Sequence, residues 1–504
     1  MRPISAASTH ESRPPDTPIP RRRRRPAPEA PNCVRQKCKK RETNARELDI
    51  AGSLSQPASI CYDGIMRLPE FRMESLFTGC LVAAALIGLT NLYSAAGGGQ
   101  EEYFWRQVLA TAAGVGICAV LAATDYRSLR RTGALLYILG NVVLLLTALM
   151  GREVKATRSW LSFGIFSVQP SELFKGIFIL HLAAYLGQIQ REHRATLLRG
   201  LFIPLLLLAI PVALTLYQGD AGTAAVYIPV FFVMIYTAGL HFALIGIALS
   251  VGALAAATAT LRVFIETTHT GWEAFIQKYL FGSLAWPVFG LTFLACALFL
   301  ILRLRFTHYR GGHKTRFVML MVAVLFAGLQ SGEVFYQKLK PHQKNRIASF
   351  FNPQIDPRGA GYQALQARIA VGSGGIWGKG YFKGTQKGLG FLPEQWTDFA
   401  FSVLAEEWGF AGSTATLLIY GLLIGSALSI GRNATDLYGC LVATGTAALY
   451  FIHMGIGVAM NLGAFPVVGI PMPFLSYGGS AQVLNFMMAG LTLSVARHRR
   501  LLAA

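Results

Sequence analysis

Asp398 is the residue whose position in the sequence most suggests chemistry. It stands in the stretch FLPEQWTDFAFSVLAEEWGF, residues 391–410, where a polar lead-in gives way to an apolar run long enough to enter a membrane as a helix. No Lys or Arg lies between Gln395 and Gly409. A carboxylate at the rim of a bilayer is suited to act as a general base. An acid at this point is also typical of a helix N-cap or first-turn residue.

A second acid and a base lie close together in KATRSWLSFGIFSVQPSELFK, residues 155–175. Pro170 is typical of a helix start, and Glu172 and Lys175 follow one turn apart, so they share a helix face. A structural ion pair explains this spacing. Because ionisable side chains at the mouth of a membrane helix are costly, a functional site is the other interpretation.

Two further segments interrupt the apolar runs. QGDAGT, residues 218–223, carries Asp220, which fits either a turn or a site residue. FPVVGIPMPFLSYGGS, residues 465–480, holds three prolines and three glycines and cannot form a continuous helix. Irregular backbone at membrane depth needs protein or a watery cavity around it. We therefore predict a re-entrant segment that lines a cavity, with a tight surface loop as the alternative.

The segment 336–397 is basic, with nine Lys and Arg against two acids. Its glycine-rich part, residues 372–390, includes Lys379, Lys383 and Lys387. Backbone amides beside glycine and lysine ammonium groups suit a phosphate-bearing substrate. No GxxxxGK[ST] sequence occurs, and a mobile or solvated basic loop would have the same composition.

The elements that must position these residues are membrane helices. The chain is 53% apolar and 14% charged, against about 25% charged for soluble domains. Runs of the length that crosses a bilayer predict twelve spans. They are 75–95, 105–123, 133–150, 170–188, 199–217, 222–239, 241–264, 284–304, 316–335, 399–430, 437–460 and 480–496. The sequence thus predicts an all-α polytopic membrane protein, a bundle of about 12 transmembrane helices with a large extracytoplasmic loop at 336–397.

Basic loops predict the orientation of this bundle. Lys and Arg concentrate in residues 125–132, 188–199, 303–316 and 497–500. All four fall on the cytoplasmic side if the N-terminus is cytosolic, as the positive-inside rule favours. Asp398 and the glycine-rich part then face outside.

Residues 1–72 are predicted to form a disordered basic cytoplasmic tail. They hold 15 Lys and Arg against 8 acids, with five consecutive arginines at 21–25 and few large apolar residues. Attraction to anionic lipid explains the arginine run, and nucleic-acid binding is the less favoured alternative. The seven cysteines are scattered, without zinc or disulfide spacing.

Six motifs, in this order, resemble those of the SEDS family (shape, elongation, division and sporulation). They are QPSELFK, NPQIDPRGAGYQ, GSGGIWGKG, GTQ, FLPEQWTDFAFSVLAEEWGF and PVVGIPMPFLSYGGS. Members are bacterial peptidoglycan glycosyltransferases that polymerise lipid II. The GTQ before FLPE is more similar to the RodA (cell elongation) branch than to the FtsW (division) branch. The resemblance implies a SEDS/GT-C-like core of ten spans within one transmembrane glycosyltransferase domain, 73–504, and makes residues 284–335 an inserted helix pair.

The resemblance also implies which residues form the site. Asp398 corresponds to the catalytic aspartate of the family. Glu172 and Lys175 correspond to a glutamate and a lysine implicated around the same cavity, and we expect them to bind substrate. Apart from the resemblance, the other residues that we expect to bind substrate are Arg346, Lys379, Thr397, Ser476 and Tyr477. Two departures are Trp396, where the family usually has His, and Gly219, where it usually has Pro.

The implied activity is polymerisation of lipid II into β-1,4 glycan strands at the outer face of the bacterial inner membrane, with both termini cytoplasmic. A lipid II flippase is the alternative from another class, and a glycan ligase shares the chemistry. Expected partners are lipid II, the nascent glycan strand, membrane lipid, a class B penicillin-binding transpeptidase and elongation-complex proteins, but not nucleic acid. No cofactor is certain, although a divalent cation, Mg²⁺ or Mn²⁺, is compatible with the chemistry.

Overall fold

The computed structural model describes residues 70–97, 100–154, 157–163, 166–192, 198–239, 242–268, 312–356, 359–388, 390–392 and 394–503. Residues 1–69 of the predicted tail and the predicted span 284–304 lie outside the described residues.

Helices dominate the described residues. The α-helices are α1 Glu70–Ala96, α2 Glu101–Ala123, α3 Leu129–Met150, α4 Pro170–Arg191, α5 Ile203–Tyr217, α6 Ala221–Thr237, α7 Phe242–Thr268, α8 Gly312–Lys338, α9 Pro341–Phe351, α10 Ala360–Ser373, α11 Thr385–Gly388, α12 Ala400–Arg432, α13 Leu437–Asn461 and α14 Gly479–Ala503. Short turns of 3₁₀-helix cover Tyr126–Ser128 and Pro353–Ile355, and a π-helical turn covers Leu198–Phe202.

The predicted spans agree closely with these helices. Eleven of the twelve predicted spans coincide with an α-helix, and the twelfth, 284–304, is not described. Within the described ranges, nine helices are long and apolar enough to cross a membrane. The α6 helix, at 17 residues, is shorter, and α8 is not among the nine. A polytopic helical membrane protein is confirmed, whereas the number of twelve spans stays a prediction.

A small β-sheet stands between α3 and α4, where the sequence analysis predicted no strands. Its strands are β1 Arg152–Val154, β2 Thr157–Phe163 and β3 Phe166–Val168, paired antiparallel in that order. The strands contain β-branched and aromatic residues, such as Thr157, Trp160 and Phe166, which favour this extended form. The sheet leads directly into the N-terminus of α4, which carries Glu172 and Lys175.

The centre of the bundle is formed by α4, α13 and α14. Of their apolar windows, 67%, 72% and 78% respectively are buried inside the protein, compared with 22% for α2. Helices apolar on all sides can be enclosed by others, whereas α2 leaves most of its surface to lipid. The site residues on α4 and α13 therefore sit on the least exposed scaffold.

Glycines bring α2 and α14 into close contact. A Cβ added to Gly490 would lie 2.6 Å from the carbonyl oxygen of Cys118, and one added to Gly114 would lie 2.7 Å from the ring of Phe486. Small residues at membrane helix interfaces let backbones approach and gain van der Waals contact. This packing fixes α14 against the outer helix.

Basic segments meet at one end of the bundle, around Asp436. Tyr126 Oη donates a hydrogen bond to this carboxylate at 2.9 Å, and nitrogens of Arg127 and Arg191 lie 3.5 and 3.9 Å from it. The backbone N–H of Tyr126 donates to Ser494 of α14 at 3.1 Å. Two predicted cytoplasmic loops and the C-terminal helix thus share one end, the Asp436 end. Asp398 precedes α12 at the opposite end, the Asp398 end.

Candidate active site

Asp398 lies in a turn that ends just before α12 begins. Residues 394–399 form the turn, and Phe399 occupies the N-cap position without a side-chain cap. Asp398 is half-buried. Thr397 Oγ1 donates to a carboxylate oxygen of Glu394 at 3.0 Å, within the same turn. Asp398 is therefore neither the N-cap nor a first-turn residue of α12.

Asn461 fixes the backbone on both sides of this helix start. It is the last residue of α13 and is fully buried. Its Nδ2 donates to the carbonyl oxygens of Asp398 (3.0 Å) and Gly457 (2.7 Å). Its Oδ1 accepts from the N–H and hydroxyl of Ser402 at 2.9 and 2.6 Å. Both donors and both acceptor positions of the amide are used, so the turn that carries Asp398 is held rigidly.

Arg346 and Asp398 approach the same backbone position, Gly469. A Cβ built on Gly469 would lie 3.5 Å from Asp398 Oδ2 and 3.9 Å from Nη1 of Arg346. Arg346, on α9, is half-buried and donates from Nη1 to the carbonyl of Val468 at 3.3 Å. Gly469 has a φ of +73°, a backbone region that suits glycine. A carboxylate and a guanidinium therefore face one narrow stretch of backbone.

A cleft beside this point holds a second arginine. It is lined by Arg346, Ser349, Phe350, Pro353, Ala364, Leu365, Arg368, Gly463, Phe465, Pro466 and Val467. Arg368 comes from α10 and is exposed. Two guanidinium groups with fixed N–H donors suit an anionic ligand such as a phosphate. The site thus combines a half-buried acid with cations on neighbouring helices.

Glu172 and Lys175 form a buried ion pair in the first two turns of α4. Lys175 Nζ lies 2.8 Å from Glu172 Oε2, and both side chains are almost fully buried. Thr223 Oγ1 of α6 donates to the same carboxylate at 3.3 Å. The ion pair that one interpretation predicted is present, yet it is part of a longer network.

His453 connects this network to the segment that contains Gly469. Its Nδ1 lies 3.1 Å from the carbonyl of Pro471, which only accepts hydrogen bonds, so Nδ1 carries the proton. Its Nε2 then accepts from the Lys175 ammonium at 3.1 Å. Lys175 thus reaches the Asp398 site through His453 and the 465–480 backbone, rather than by direct contact.

Asp220 caps α6 and joins the network from the other side. Its carboxylate accepts from the N–H of Thr223 at 3.0 Å and from Gln169 Nε2 at 2.7 Å. Burial raises the pKa of Asp220, and the hydrogen bonds from Thr223 oppose this rise. The QPSELFK and QGDAGT segments are therefore bonded to each other.

Lys379 has an acidic partner of its own. Its ammonium donates to Glu406 Oε1 at 2.7 Å and to the hydroxyls of Ser373 and Thr385, also at 2.7 Å. Glu406, on α12, is fully buried. The structure therefore places Lys379 in a clamp between the glycine-rich part and α12. Its predicted role in binding substrate stays a prediction.

The predicted residues Ser476 and Tyr477 hold the 465–480 segment in shape. Ser476 is buried, and its Oγ accepts from the N–H of Met472 at 3.1 Å. The N–H of Tyr477 donates to the carbonyl of Trp396 at 2.7 Å. Tyr103 stacks on Trp396 with ring centroids 5.2 Å apart and meets the ring of Tyr477 edge-on. Burial raises the pKa of Tyr477. Trp396 thus supports the Asp398 turn by stacking.

The structure brings Asp398, Thr397 and Arg346 together and links Tyr477 to them through Trp396. It keeps Glu172 and Lys175 in the buried network and Lys379 in its clamp. Sequence reasoning missed two residues, Asn461 and His453. The signal for each was a lone polar side chain in the apolar run that forms α13, which by itself is more typical of helix packing.

Among the described residues, no group of three or more His, Cys, Asp or Glu side chains could hold a metal ion. Mg²⁺ is often held by only one or two carboxylates together with substrate phosphates. A divalent cation at this site therefore stays a prediction.

The sequence of this chain matches a known family of proteins. A family model for FtsW, RodA and SpoVE cell cycle proteins matches residues 74–280 and 286–501. The chain is 32% identical over 428 residues to peptidoglycan glycosyltransferase RodA of Treponema pallidum, covering 82% of this chain and 95% of that protein. It is 29% identical over 427 residues to peptidoglycan glycosyltransferase MrdB of Escherichia coli K12, covering 84% and 94%.

Solved structures share the fold. One, described as the structural coordination of polymerization and crosslinking by a peptidoglycan synthase complex, matches with a TM-score of 0.57 and 26% identity, over 84% of this chain and 97% of that one. The rod shape determining protein RodA of Thermus thermophilus matches with a TM-score of 0.52 and 23% identity, over 84% and 96%. The second likeness bears on the fold alone.

Proposed function

This chain belongs to the FtsW, RodA and SpoVE family of cell cycle proteins, and we propose that it is a peptidoglycan glycosyltransferase in which Asp398 is the general base. The observation that carries the assignment of the base is the approach of Asp398 and Arg346 to the same backbone position, Gly469. A carboxylate that can take a proton and a guanidinium that can hold a phosphate oxygen are what glycosyl transfer from a pyrophosphate donor requires.

The reaction joins two lipid II-derived chains. The oxygen of the 4-hydroxyl of the acceptor sugar attacks the anomeric carbon of the donor. Asp398 accepts the proton of this hydroxyl during the attack. The bond from that carbon to the pyrophosphate oxygen breaks, and the electron pair leaves with the polyprenyl pyrophosphate. Attack opposite the leaving group converts an α-linked donor into a β-1,4 linkage. Asn461 supports this step because it holds the Asp398 turn in place.

Arg346 and Arg368 offset the charge of the leaving pyrophosphate. Both line the cleft beside Asp398, and a guanidinium offers paired donors to phosphate oxygens. Thr397, Ser476 and Tyr477 shape this region, whereas Glu172 and Lys175 support it through His453 and Pro471.

We place this chemistry at the outer face of the bacterial inner membrane, with both termini cytoplasmic, in cell elongation. The gathering of basic loops at the Asp436 end supports that orientation, because positive residues favour the cytoplasmic side. The likeness to a structure of a peptidoglycan synthase complex supports a crosslinking transpeptidase of the penicillin-binding class as partner.

The alternative, a lipid II flippase, needs ionisable groups along a path through the membrane. The buried charged side chains of the described helices lie instead toward the Asp398 end: Glu172, Lys175, Arg262, Glu333, Lys387, Glu406 and Glu407. This distribution favours chemistry at one surface over transport.

Polymerisation by the purified protein tests the proposal. With lipid II supplied in detergent, wild-type protein should form glycan polymers that resolve on a gel. Asp398→Asn should lose at least about 100-fold in rate, as expected for removal of a general base. Glu101→Gln, an equivalent change at an exposed acid of the same end, should leave the rate unchanged.

Thermal unfolding of each variant separates lost chemistry from lost folding. An Asp398→Asn protein that is folded and still polymerises at the wild-type rate would refute the assigned base. Wild-type protein that moves lipid II across vesicle membranes but forms no polymer would support the flippase instead.

A further inference from the structure

The α12 helix is too long to be only a membrane span. Its 33 residues correspond to about 50 Å at 1.5 Å per residue, whereas the hydrocarbon core is about 30 Å thick. The helix is also broken at Gly409, where φ is +66° and ψ is −166°. The part from Phe410 to Arg432 alone is about 35 Å long. The break therefore lies near the boundary of the hydrocarbon on the Asp398 side.

Contacts between α12 and α1 place the break at the same depth in the membrane. Glu407 accepts hydrogen bonds at 2.7 Å from Ser94, which lies two residues before the end of α1. Lys387 donates to the same carboxylate at 2.8 Å. Charged groups thus cluster just above the break, at the end of the first span, and apolar residues follow below it.

The glycine-rich part supplies the hydrogen bonds that the break leaves open. The N–H groups of Phe410 and Ala411 donate to the carbonyls of Gly375 and Ile376 at 2.8 and 2.9 Å. In return, the N–H of Lys379 donates to the carbonyl of Glu406 at 3.0 Å. These hydrogen bonds hold residues 375–379, the tip of the glycine-rich part, beside the first residues of the apolar part of α12.

Glycines make that close seating possible. A Cβ on Gly409 would lie 2.2 Å from the backbone nitrogen of Gly378, and one on Gly374 would lie 2.1 Å from the carbonyl oxygen of Ala405. Neither distance is compatible with a side chain. The depth of the tip is therefore set by backbone contact with α12.

The tip presents large apolar side chains outward. Trp377 is 82% exposed and Ile376 is 65% exposed, next to Phe410 at 70%. Exposure continues down α12 through Leu418 and Leu422, on the surface that such a span turns to lipid. A soluble loop would leave this apolar area in water, which is unfavourable.

We infer that Ile376 and Trp377 form an interfacial membrane anchor that inserts into the lipid leaflet on the Asp398 side. Tryptophan favours this depth because its ring is apolar and its indole N–H can reach water or headgroups. Exposed Lys383, a few residues on, is suited to contact lipid phosphate. The occupant of this apolar surface is the bilayer, and the inference holds whether or not the proposed activity does.

Quenching of Trp377 fluorescence tests the anchor. The full-length protein is placed in bilayers of phosphatidylcholine brominated near the headgroup end of its acyl chains. The difference in emission between the wild-type protein and Trp377→Phe gives the contribution of Trp377, separate from that of the other tryptophans. An anchor buried about 5–10 Å into the headgroup boundary should have its emission reduced about twofold or more by the bromines.

Two comparisons make the test decisive. The control is Trp105, an exposed tryptophan of the span α2. The part of the fluorescence emission that is lost on Trp105→Phe should be quenched in the same bilayers, which shows that the bromines can reach exposed tryptophans. Quenching of the Trp377 component by aqueous iodide, without quenching by brominated lipid, would overturn the inference. Because Trp377 is largely exposed, its replacement by Phe should leave the fold intact, which thermal unfolding checks.

Discussion

Asp398 and Arg346 both approach Gly469, with Oδ2 and Nη1 3.5 and 3.9 Å from the position that its Cβ would occupy. They belong to different elements, the turn before α12 and the helix α9, and both meet a third segment at this glycine. The charge pair at the centre of the proposed site therefore depends on the backbone of the 465–480 segment as much as on its own side chains.

Gly469→Ala should damage both stability and activity. An L-residue at a φ of +73° costs about 1–2 kcal/mol, and relief of this strain would shift the backbone that Asp398 and Arg346 approach. Thermal unfolding and polymerisation assays measure the two effects. Gly421→Ala, on α12 with nothing within 4 Å of the added Cβ, should be neutral or slightly stabilising. A Gly469→Ala protein with normal rate and stability would contradict the predicted backbone strain.

Arg346 should matter for the leaving group. We expect Arg346→Gln to lower kcat by about 100-fold, as for loss of one donor to a developing anion, and Arg346→Lys to restore part of it. Steady-state polymerisation kinetics would measure both. Lys338→Gln, at the exposed end of α8, controls for net charge, and an equal loss there would mean that only general electrostatics is involved.

Asn461→Ala should reduce turnover more than substrate affinity. The variant removes the Asn461 partner of the Asp398 carbonyl and of the Ser402 hydroxyl, and a buried unpaired group costs about 1–3 kcal/mol. The N–H of Ser402 keeps its hydrogen bond to the carbonyl of Phe399. We expect a lower melting temperature and a fall in kcat with KM near the wild-type value. Asn433→Ala, at the other end of α12, is the comparison. A variant that loses stability but keeps kcat would limit Asn461 to a folding role.

The ion pair between Lys387 and Glu407 should be important for stability. Both side chains are buried, with Nζ and Oε1 2.8 Å apart. Removing one partner of such a pair costs about 3–5 kcal/mol, so Glu407→Gln should lower the free energy of unfolding sharply. Adding Lys387→Met should recover part of it. Glu102→Gln breaks the exposed pair with Arg106 and should cost less than about 1 kcal/mol. Equal effects at the two sites would contradict this ranking.

The stability of the protein should depend on pH through the carboxyl of Asp220. Burial raises its pKa in the folded protein, so the folded state keeps a proton that the unfolded chain loses at a pKa of about 3.9. Its contribution to stability is therefore greatest below that pH and falls as the pH rises. We expect Asp220→Asn to gain stability relative to wild type as the pH goes from 4 toward 7, measured by thermal unfolding. A constant difference would show that the carboxyl does not titrate in this range.

Much of the architecture followed from local sequence. The helices that coincide with predicted spans could be predicted because a bilayer offers no hydrogen bonds to the backbone, so an apolar run of sufficient length must be helical. The ion pair of Glu172 and Lys175 followed from helical spacing alone. The basic loops that meet near Asp436 were grouped by charge before any contact was known.

Contacts between distant segments could not be predicted in this way. Lys379 has the charge of a phosphate ligand, but its ammonium bonds to buried Glu406. In the sequence, Asn461 and His453 are only single polar residues within an apolar run.

The sequence by itself determined a polytopic membrane protein with an acid at the start of a late helix, because hydropathy, helical period and charge bias act over short stretches of chain. Only the tertiary structure decided that Asp398 meets Arg346 at Gly469 and that the glycine-rich part closes the break in α12. Those pairings depend on which backbones approach closely enough to exchange hydrogen bonds, a property of the packed bundle and not of any one segment.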